Sequence, residues 1–296
     1  MNVVKLLNFI ATHPLNSGRK MAAIMRFARW QVASRLLHTD IVCQWINGSR
    51  FFARTGETGL TQNIYTGLQD FADMGYVLHA LRKDDLFIDV GANVGSYTLL
   101  ACRAVGAEGC AFEPIPATYA RLLENVRLNH LEGTVQCSNV GVGSAQGTLR
   151  FTANLNTTNH ALAEGESSAA SIEVPVVTLD EVLRDKNPSL IKIDVEGYET
   201  AVLQGASNTL KKPSLNSVIM ELNGSGERYH HRESAILDVM RGHGFGSYSY
   251  DPFARSLKAL DGKSPESGNT LFIRNVELVA ERLRNSPHFT ALGKTF

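Results

Sequence analysis

The sequence has few cysteines and no long apolar run. Its 296 residues include four cysteines, and these form neither a C-x-x-C pair nor a cluster with histidine. We therefore expect reduced cysteines in or near the core, and neither a disulfide scaffold nor a zinc site. No stretch of about 18 or more apolar residues occurs, which argues against a membrane-spanning helix.

The start of the chain is also poor in targeting features. Residues 3–11 are apolar but interrupted by polar side chains, and they run into His13-Pro14 without a small-residue cleavage site. This argues against a secretory signal, although an acid-free start with arginines also resembles an organelle transit peptide. We expect a cytoplasmic protein.

Neither charge is in excess over the whole chain. Lys+Arg and Asp+Glu both number 29, so binding of nucleic acid is not expected. Acidic residues are nevertheless absent from residues 1–39, and the basic residues there are Lys5, Arg19, Lys20, Arg26, Arg29 and Arg35. Residues 19–37 predict an amphipathic helix whose stripe contains Ala22, Met25/Arg26, Arg29/Trp30 and Ala33.

From residue 84 onward, short apolar runs alternate with helical patterns. The predicted strands are 86–90, 110–112, 135–137, 190–195 and 217–222. The predicted helices are 96–105, a segment around 119–126, 198–210 and 233–241. Residues 256–260 and 269–274 are predicted to pair as a hairpin. This alternation indicates an α/β protein with a mostly parallel sheet and helices on both faces. The polar segment 148–180 is too long for an ordinary connection, so we predict an inserted hairpin or lid.

The first strand ends in the sequence DVGANVGSYT, residues 89–98. Gly91 and Gly95 let the backbone turn and approach a ligand, and the next helix offers its N-terminal amides. Glu113 follows the second strand, where a carboxylate can accept hydrogen bonds from both hydroxyls of a ribose. The two features together predict a nucleoside cofactor.

The spacing of the glycines favours one cofactor over another. A dinucleotide fingerprint reads G-x-G-x-x-G, whereas this loop reads G-x-x-x-G and is preceded by Asp89. A carboxylate would repel a pyrophosphate but attract an ammonium or a sulfonium group. The loop therefore favours S-adenosylmethionine, with S-adenosylhomocysteine as product. An NAD-linked oxidoreductase remains the alternative, as does a glycine turn without a ligand.

Acidic residues also follow the fourth and fifth strands. The candidates for removing a proton from an acceptor are Asp194, Glu196, Glu221 and His160, and after these His230-His231. We favour Asp194 or Glu196, although Glu196 could instead cap the next helix. Such an acid cluster could also hold Mg²⁺ against vicinal hydroxyls, but we predict no metal site.

With these residues in view, the chain resembles the FkbM family of S-adenosylmethionine-dependent methyltransferases. The matching segments are 87–98, 111–129, 175–183, 191–206, 219–224 and 269–275. The resemblance implies a class I methyltransferase fold, a Rossmann-like, seven-stranded, mostly parallel sheet that ends in an antiparallel hairpin. It also implies O-methylation of a hydroxyl, often on a sugar or a polyketide-type metabolite.

The resemblance also assigns roles to individual positions. Asp89, Gly91, Asn93 and Gly95 match the first cofactor loop, and we add their neighbours Ala92, Ser96 and Tyr97. Glu113, followed by Pro114, matches the ribose-binding acid. Asn139 and Val140 match the adenine side. Asp194 and Glu196 match an element near the methyl group, and the motif itself assigns no base.

The predicted organisation is one enzymatic unit with extensions. Residues 84–275 form the methyltransferase domain, 1–83 a basic helical and irregular extension, and 276–296 a tail. We expect a small-molecule, glycan or glycolipid acceptor, bound by residues 148–180, 223–255 and the front end. The basic helix would cover the sheet edge or the cofactor cleft, or it would dock on an anionic membrane surface. No oligomeric state is predicted. A non-catalytic cofactor-binding or membrane-docking module is the remaining alternative.

Overall fold

A central eight-stranded sheet organises the molecule. The computed structural model describes residues 3–37, 39–55, 57–152, 159–163, 165–166, 170–265 and 268–296. The strands of the central sheet are β3 (Leu86–Val90), β4 (Glu108–Phe112), β5 (Val135–Ser138), β9 (Pro188–Ile193), β10 (Ser217–Glu221), β11 (Gly246–Asp251), β12 (Ser256–Ala259) and β13 (Asn269–Ile273). The smaller pairings use β1 (Ile41–Gln44), β2 (Arg50–Ala53), β6 (Gly141–Val142), β7 (Gly147–Thr152), β8 (Ser171–Val177), β14 (Thr290–Ala291) and β15 (Lys294–Thr295).

The order of the central strands is β12-β11-β13-β10-β9-β3-β4-β5. β5, β4, β3, β9 and β10 are parallel, whereas β13 runs antiparallel to β10 and to β11. Helices cover both faces of the sheet at β3 and β9. Strands buried on both faces are expected to have continuous apolar runs, as these two strands do. The class I methyltransferase fold predicted from the sequence is confirmed.

The antiparallel end of the sheet differs in detail from the prediction. Segment 256–260 does not pair with 269–274. β12 instead pairs with β11, and β11 lies between β12 and β13. β11 brings the strand count to eight among the described residues. The sequence of β11, GSYSYD, contains no apolar run that would predict a strand. Its tyrosines supply the buried surface instead, and Tyr250 is buried.

Ten helices accompany the strands in the described part of the chain. They are α1 (Val3–Thr12), α2 (Lys20–Leu37), α3 (Thr58–Thr66), α4 (Phe71–Ala80), α5 (Ser96–Leu99), α6 (Pro116–Leu128), α7 (Leu179–Val182), α8 (Glu199–Gln204), α9 (Glu233–Gly242) and α10 (Val276–Arg284). α5 continues as a π-helix over Leu100–Val105, so the predicted helix 96–105 is present.

α8 is shorter than the predicted helix 198–210. It ends at Gly205, and a separate 3₁₀ turn covers Thr209–Lys211. A Cβ at Gly205 would lie 2.0 Å from the carbonyl oxygen of Gly143. The close approach of these two backbones therefore requires glycine where α8 ends.

The front of the chain shares its core with the sheet. Ile10, Leu15, Phe51 and Leu60 belong to the same buried cluster as Phe87 of β3. The front segment therefore stabilises the sheet by burying apolar surface against it. Where the domain boundary falls stays a prediction.

The buried stripe of α2 differs from the predicted one. Ala23, Trp30 and Ser34 are the buried residues of this helix, whereas Met25 is exposed. Arg26, predicted beside the stripe, instead donates a hydrogen bond to Asn16 Oδ1 at 2.7 Å. The stripe is displaced by one residue because α2 has apolar side chains on two faces, and periodicity alone does not select between them.

The segment predicted as an inserted hairpin or lid contains β7 and β8. These strands pair antiparallel, and β6 lies parallel to β8. Residues 153–158, 164 and 167–169 of the segment lie outside the described residues. The role of a lid stays a prediction. All four cysteines are free, as predicted. Among the described helices, none is long and apolar enough to cross a membrane.

Candidate functional site

A cleft opens at the carboxyl ends of β3, β4, β9 and β10. Its open volume, including the mouth, is about 1130 Å³. Ligands of open α/β sheets bind at this edge. Twelve of the predicted site residues line the cleft: Asp89, Gly91, Ala92, Asn93, Ser96, Tyr97, Glu113, Pro114, Val140, Asp194, Glu196 and Glu221.

The loop after β3 is held close to the loop after β9. Gly91 has a φ of 76°, and a Cβ there would lie 1.8 Å from the carbonyl oxygen of Asp194. Gly95 has a φ of 95°, and a Cβ there would lie 2.7 Å from Leu122 Cδ1 of α6. Gly91 thus shapes the floor of the cleft, whereas Gly95 packs against α6 and does not line the cleft.

Glu113 is buried at the end of β4, with 5 % of its surface exposed. Its Oε2 accepts a hydrogen bond from Asn93 N, and its Oε1 accepts one from Ile115 N, both at 2.9 Å. Burial raises the pKa of Glu113 to about 7, although the two backbone N–H groups oppose that shift. Each carboxylate oxygen keeps a further lone pair that a ligand hydroxyl can use.

A lysine and two aspartates lie beneath the loop. Asp89 is fully buried and accepts a hydrogen bond from Thr98 Oγ1 at 2.6 Å. Lys192 is also buried, and its Nζ donates to Asp194 Oδ2 at 2.7 Å and lies 4.7 Å from the ring centroid of Tyr97. Burial opposes the lysine charge, but the nearby carboxylates of Asp194 and Asp89 raise the pKa of Lys192 above its usual value.

Asp194, Glu196 and Glu221 form what we call the acid edge. One ligand atom from each lies within 4.8 Å of the others. Burial, together with the carboxylates of Asp194 and Glu196, raises the pKa of Glu221 to about 9. Glu221 Oε2 is buried, and no hydrogen-bond partner for it lies among the described residues. Burial and Asp194 also raise the pKa of Glu196. This spacing suits cation ligation as well as proton sharing between carboxyls, and Lys192 already ion-pairs with Asp194.

No side chain among the described residues caps the N-terminus of α8, so Glu196 does not take the capping role that was left open for it. Glu199 instead holds the turn before this helix. Its Oε1 accepts hydrogen bonds from Val195 N at 3.2 Å and Gly197 N at 3.1 Å. Burial raises the pKa of Glu199 to about 7. Glu196 has a φ of 54° and lines the cleft, so the tight turn directs it toward the ligand space. Sequence reasoning missed Glu199 because its role depends on how this turn folds.

Three predicted residues lie outside the cleft wall, and Gly95, described above, is one of them. Asn139 donates from Nδ2 to the carbonyl oxygens of Glu113 at 2.8 Å and Pro114 at 2.9 Å, so it holds the loop that carries Glu113. His160 is buried, and its Nε2 lies 3.0 Å from Glu166 Oε1. Its catalytic role stays a prediction.

The sequence analysis assigned no role to several residues that line the cleft. They are Gln69, Asp70, Phe151, Lys192 and Tyr198. Lys192 could have been found, because a lysine inside an otherwise apolar strand and two residues before Asp194 must share its face. Gln69 and Asp70 come from the front of the chain and are brought to the cleft only by tertiary packing.

The lining of the cleft is strongly acidic. Its acidic residues are Asp70, Asp89, Glu113, Asp194, Glu196 and Glu221, and Lys192 is the one basic residue among the described residues that line it. Burial raises the pKa of Asp70 as it does for Asp89 and Glu113. Because burial favours the neutral forms of these carboxyls, a ligand with positive charge would stabilise their ionised forms, whereas a polyphosphate would not.

Comparisons with known proteins identify the family of this chain. The sequence profile of the methyltransferase FkbM domain matches residues 89–246. A hexuronic acid methyltransferase, AglP of Haloferax volcanii, is 33 % identical over 153 residues, which cover 50 % of this chain and 59 % of that enzyme. The 31-O-demethyl-FK506 methyltransferase FkbM of Streptomyces tacrolimicus is 30 % identical over 212 residues, which cover 59 % of this chain and 78 % of that enzyme.

A solved structure gives a further comparison. The methyltransferase FkbM of Methylobacillus flagellatus aligns with a TM-score of 0.43 and 14 % identity, over 72 % of this chain and 54 % of that one. The chain thus spans less than two thirds of the length of AglP and of the Methylobacillus protein. The profile match covers the cleft from Asp89 to Glu221. The chain belongs to the FkbM family of methyltransferases.

Proposed function

We propose that this protein is an S-adenosylmethionine-dependent O-methyltransferase that acts on a hydroxyl of a sugar in a glycan, glycolipid or natural product. The observation that carries the proposal is the acidic lining of the cleft. Its carboxyl groups converge with a single lysine on a space that begins at the glycine loop. A ligand with an ammonium and a sulfonium group suits this lining, whereas the pyrophosphate of NAD does not.

The residues of the cleft fit the parts of this cofactor. Glu113 would accept hydrogen bonds from the ribose hydroxyls, the 89–97 loop would contact the cationic end, and Val140 would lie on the adenine side. When bound, the cofactor supplies a methyl group on a sulfonium centre. The protein contributes position and electrostatics, and positioning contributes roughly 7–11 kcal/mol in well-oriented reactions.

The acid edge would remove the proton from the hydroxyl of the acceptor. Glu221, with a pKa of about 9, is protonated near neutral pH and is a poor base there. Asp194 is held by Lys192 at 2.7 Å. We assign the role of proton acceptor to Glu196, which lines the cleft. Burial raises its pKa above that of an exposed glutamate, which makes it a stronger base. A general base contributes about 10²–10⁴-fold in rate.

Calorimetry separates this proposal from the NAD-linked alternative. The purified chain is titrated with S-adenosylhomocysteine, S-adenosylmethionine and NAD⁺. We expect heat of binding from the first two and none from NAD⁺. Binding of NAD⁺ without binding of S-adenosylhomocysteine would instead support the oxidoreductase.

We also propose that α2 contacts an anionic membrane surface. On the face opposite to Ala23 and Trp30, four apolar residues are between 51 % and 73 % exposed: Met21, Met25, Val32 and Leu36. Their spacing of four, seven and four residues places them on one stripe. Arg29 and Arg35 are exposed beside that stripe, and residues 1–39 contain no acid. An exposed apolar stripe with flanking arginines suits anionic lipid better than water.

Vesicle sedimentation tests this contact. The full chain is pelleted with phosphatidylcholine vesicles that contain about 30 % phosphatidylglycerol or none, across a salt series. We expect binding that needs the anionic lipid, weakens with salt and is lost in the R29E/R35E variant, whereas R241E on α9 serves as the control. The membrane contact would be contradicted if the chain stayed in the supernatant under all conditions. It would also be contradicted if light scattering showed a dimer whose interface buries the stripe.

A further inference from the structure

A second large cavity lies beside the cleft, and we call it the groove. Its open volume is about 1740 Å³, and it lies between the end of α1, the start of α4 and the strands β11 and β12. Three stretches of the chain form most of its wall. They contribute Phe9, His13 and Pro14, then residues 69–73, then residues 248–253 with Ser256 and Lys258.

The groove adjoins the cleft at two places. Gln69 and Asp70 line both cavities, and Asp70 Oδ2 accepts a hydrogen bond at 3.3 Å from Tyr97 OH, which belongs to the cleft. Gly268 of the groove is also close to the acid edge, since a Cβ there would lie 3.8 Å from Glu221 Oε1. A molecule in the groove can therefore present one group to the acid edge while its body stays outside the cofactor space.

Aromatic rings supply the apolar part of the groove. Phe71 is buried and Phe253 is 45 % exposed, and their ring centroids are 4.8 Å apart. Lys294 Nζ lies 5.8 Å from the Phe253 centroid, and the exposed part of Phe253 is the surface that a ligand could contact. The turn that carries Phe253 is fixed, because α4 meets it at Gly75, where a Cβ would lie 2.6 Å from Pro252 Cγ. Rigid aromatic surface of this kind binds without a large loss of side-chain entropy.

Planar polar side chains form the polar part of the groove wall. Asn269 Nδ2 donates to Asp73 Oδ2 at 3.1 Å, and both residues line the groove. Carboxylate and amide oxygens accept from hydroxyls, and the amide nitrogen donates to them. Among the described residues that line the groove, Asp70, Asp73 and Asp251 face a single basic side chain that is charged at neutral pH, Lys258. Burial lowers the pKa of the other basic candidate, His13, to about 4, so it adds no positive charge at neutral pH.

We propose that the groove binds the acceptor as a neutral pyranose ring, with an apolar C–H face on Phe253 and hydroxyls toward Asp73 and Asn269. This inference rests on the proposed function and adds a substrate class to it. A pyranose presents both an apolar face and a ring of hydroxyls, which matches an aromatic wall next to a carboxyl-amide pair. The excess of carboxyl groups disfavours a charged hexuronic acid relative to a neutral hexose.

Saturation-transfer NMR on the full chain with bound S-adenosylhomocysteine tests this site. The probes are the methyl pyranosides of glucose, galactose, mannose and rhamnose, with methyl glucuronide as the charged counterpart. We expect transfer from the protein to at least one neutral glycoside and less to the glucuronide. F253A should weaken binding of the glycoside by about three- to tenfold, as expected for the loss of one aromatic contact. L278A, an exposed residue of α10, is the control.

Three results would overturn the proposal. They are no transfer to any neutral glycoside, equal transfer in F253A and wild type, or stronger transfer to the glucuronide. Calorimetric binding of S-adenosylhomocysteine is measured on the same samples. If the wild type does not bind it, the proposed function itself fails. If it binds normally while the glycosides do not, only the acceptor site is wrong.

Discussion

At the scale of single residues, environment decides what each carboxyl can do. Glu113, Glu196 and Glu221 all line the cleft, yet they differ in burial and in their neighbours. Glu113 is held by two backbone amides, and Glu196 is directed into the cleft by a strained turn. Glu221 shares the acid edge with two other carboxyls. The same residue type can therefore have different proposed roles, which are ribose binding for Glu113, proton removal for Glu196 and a neutral carboxyl for Glu221.

The ribose role of Glu113 leads to a first prediction. Glu113→Ala removes an acceptor for two hydroxyl hydrogen bonds, and bonds to a charged group are worth roughly 1.5–3 kcal/mol each. We expect the affinity for S-adenosylhomocysteine, measured by calorimetry, to fall about hundredfold or more. Glu132→Ala, at an exposed position after α6, is the control. Unchanged affinity would remove Glu113 from the cofactor site.

The acid edge leads to a second prediction. Asp194→Asn breaks the ion pair with Lys192 and leaves a buried ammonium without its partner. Glu196→Gln removes the proposed base. Once an acceptor is known, each variant should lower kcat by about a hundredfold or more, while S-adenosylhomocysteine still binds. Full activity of the Glu196→Gln variant would show that another group accepts the proton.

Glu221 leads to a prediction about pH and stability. Its pKa is raised to about 9 in the folded protein, so the folded state binds more protons than the unfolded state between about pH 4.5 and 9. Stability therefore falls as pH rises through this range. Glu221→Gln removes that penalty, and we expect it to raise Tm relative to wild type at pH 8 but not at pH 4. An equal effect at both values would contradict the raised pKa.

At the scale of elements, the cleft depends on how closely two loops approach. The loops after β3 and β9 meet at Gly91, where no side chain fits beside the Asp194 carbonyl. Gly91→Ala should therefore lower Tm by about 5 °C or more and weaken S-adenosylhomocysteine binding. Gly133→Ala, with nothing within 4 Å of the added Cβ, is the matched control. Equal Tm for the two variants would show that the approach is not tight.

How much was predictable also depends on the element. The parallel strands β3, β4, β9 and β10 were predictable because they are buried on both faces and read as apolar runs. β11 was not, because its buried surface comes from tyrosines that alternate with serines. The α2 stripe was displaced by one residue because two of its faces are apolar. Local pattern thus specifies the interior of the sheet better than its antiparallel end.

At the scale of the whole molecule, the front of the chain completes the site. Gln69 and Asp70 line both the cleft and the groove, and Phe9 and His13 line the groove. The same segment shares a buried core with the sheet. Family motifs predicted most of the residues that line the cleft, because these residues lie next to the strands in sequence. The proposed acceptor site could not be predicted in the same way, because it forms only when distant segments pack together.

Methyl transfer itself is the most direct test of the account. The purified protein is incubated with S-adenosylmethionine that carries a tritiated methyl group and with glycan and lipid extracts of cells from which its gene has been deleted. We predict that label enters a sugar-containing fraction with the wild type and not with Asp194→Asn. If no fraction is labelled although S-adenosylhomocysteine binds, the chain is a cofactor-binding module and not the enzyme that we propose.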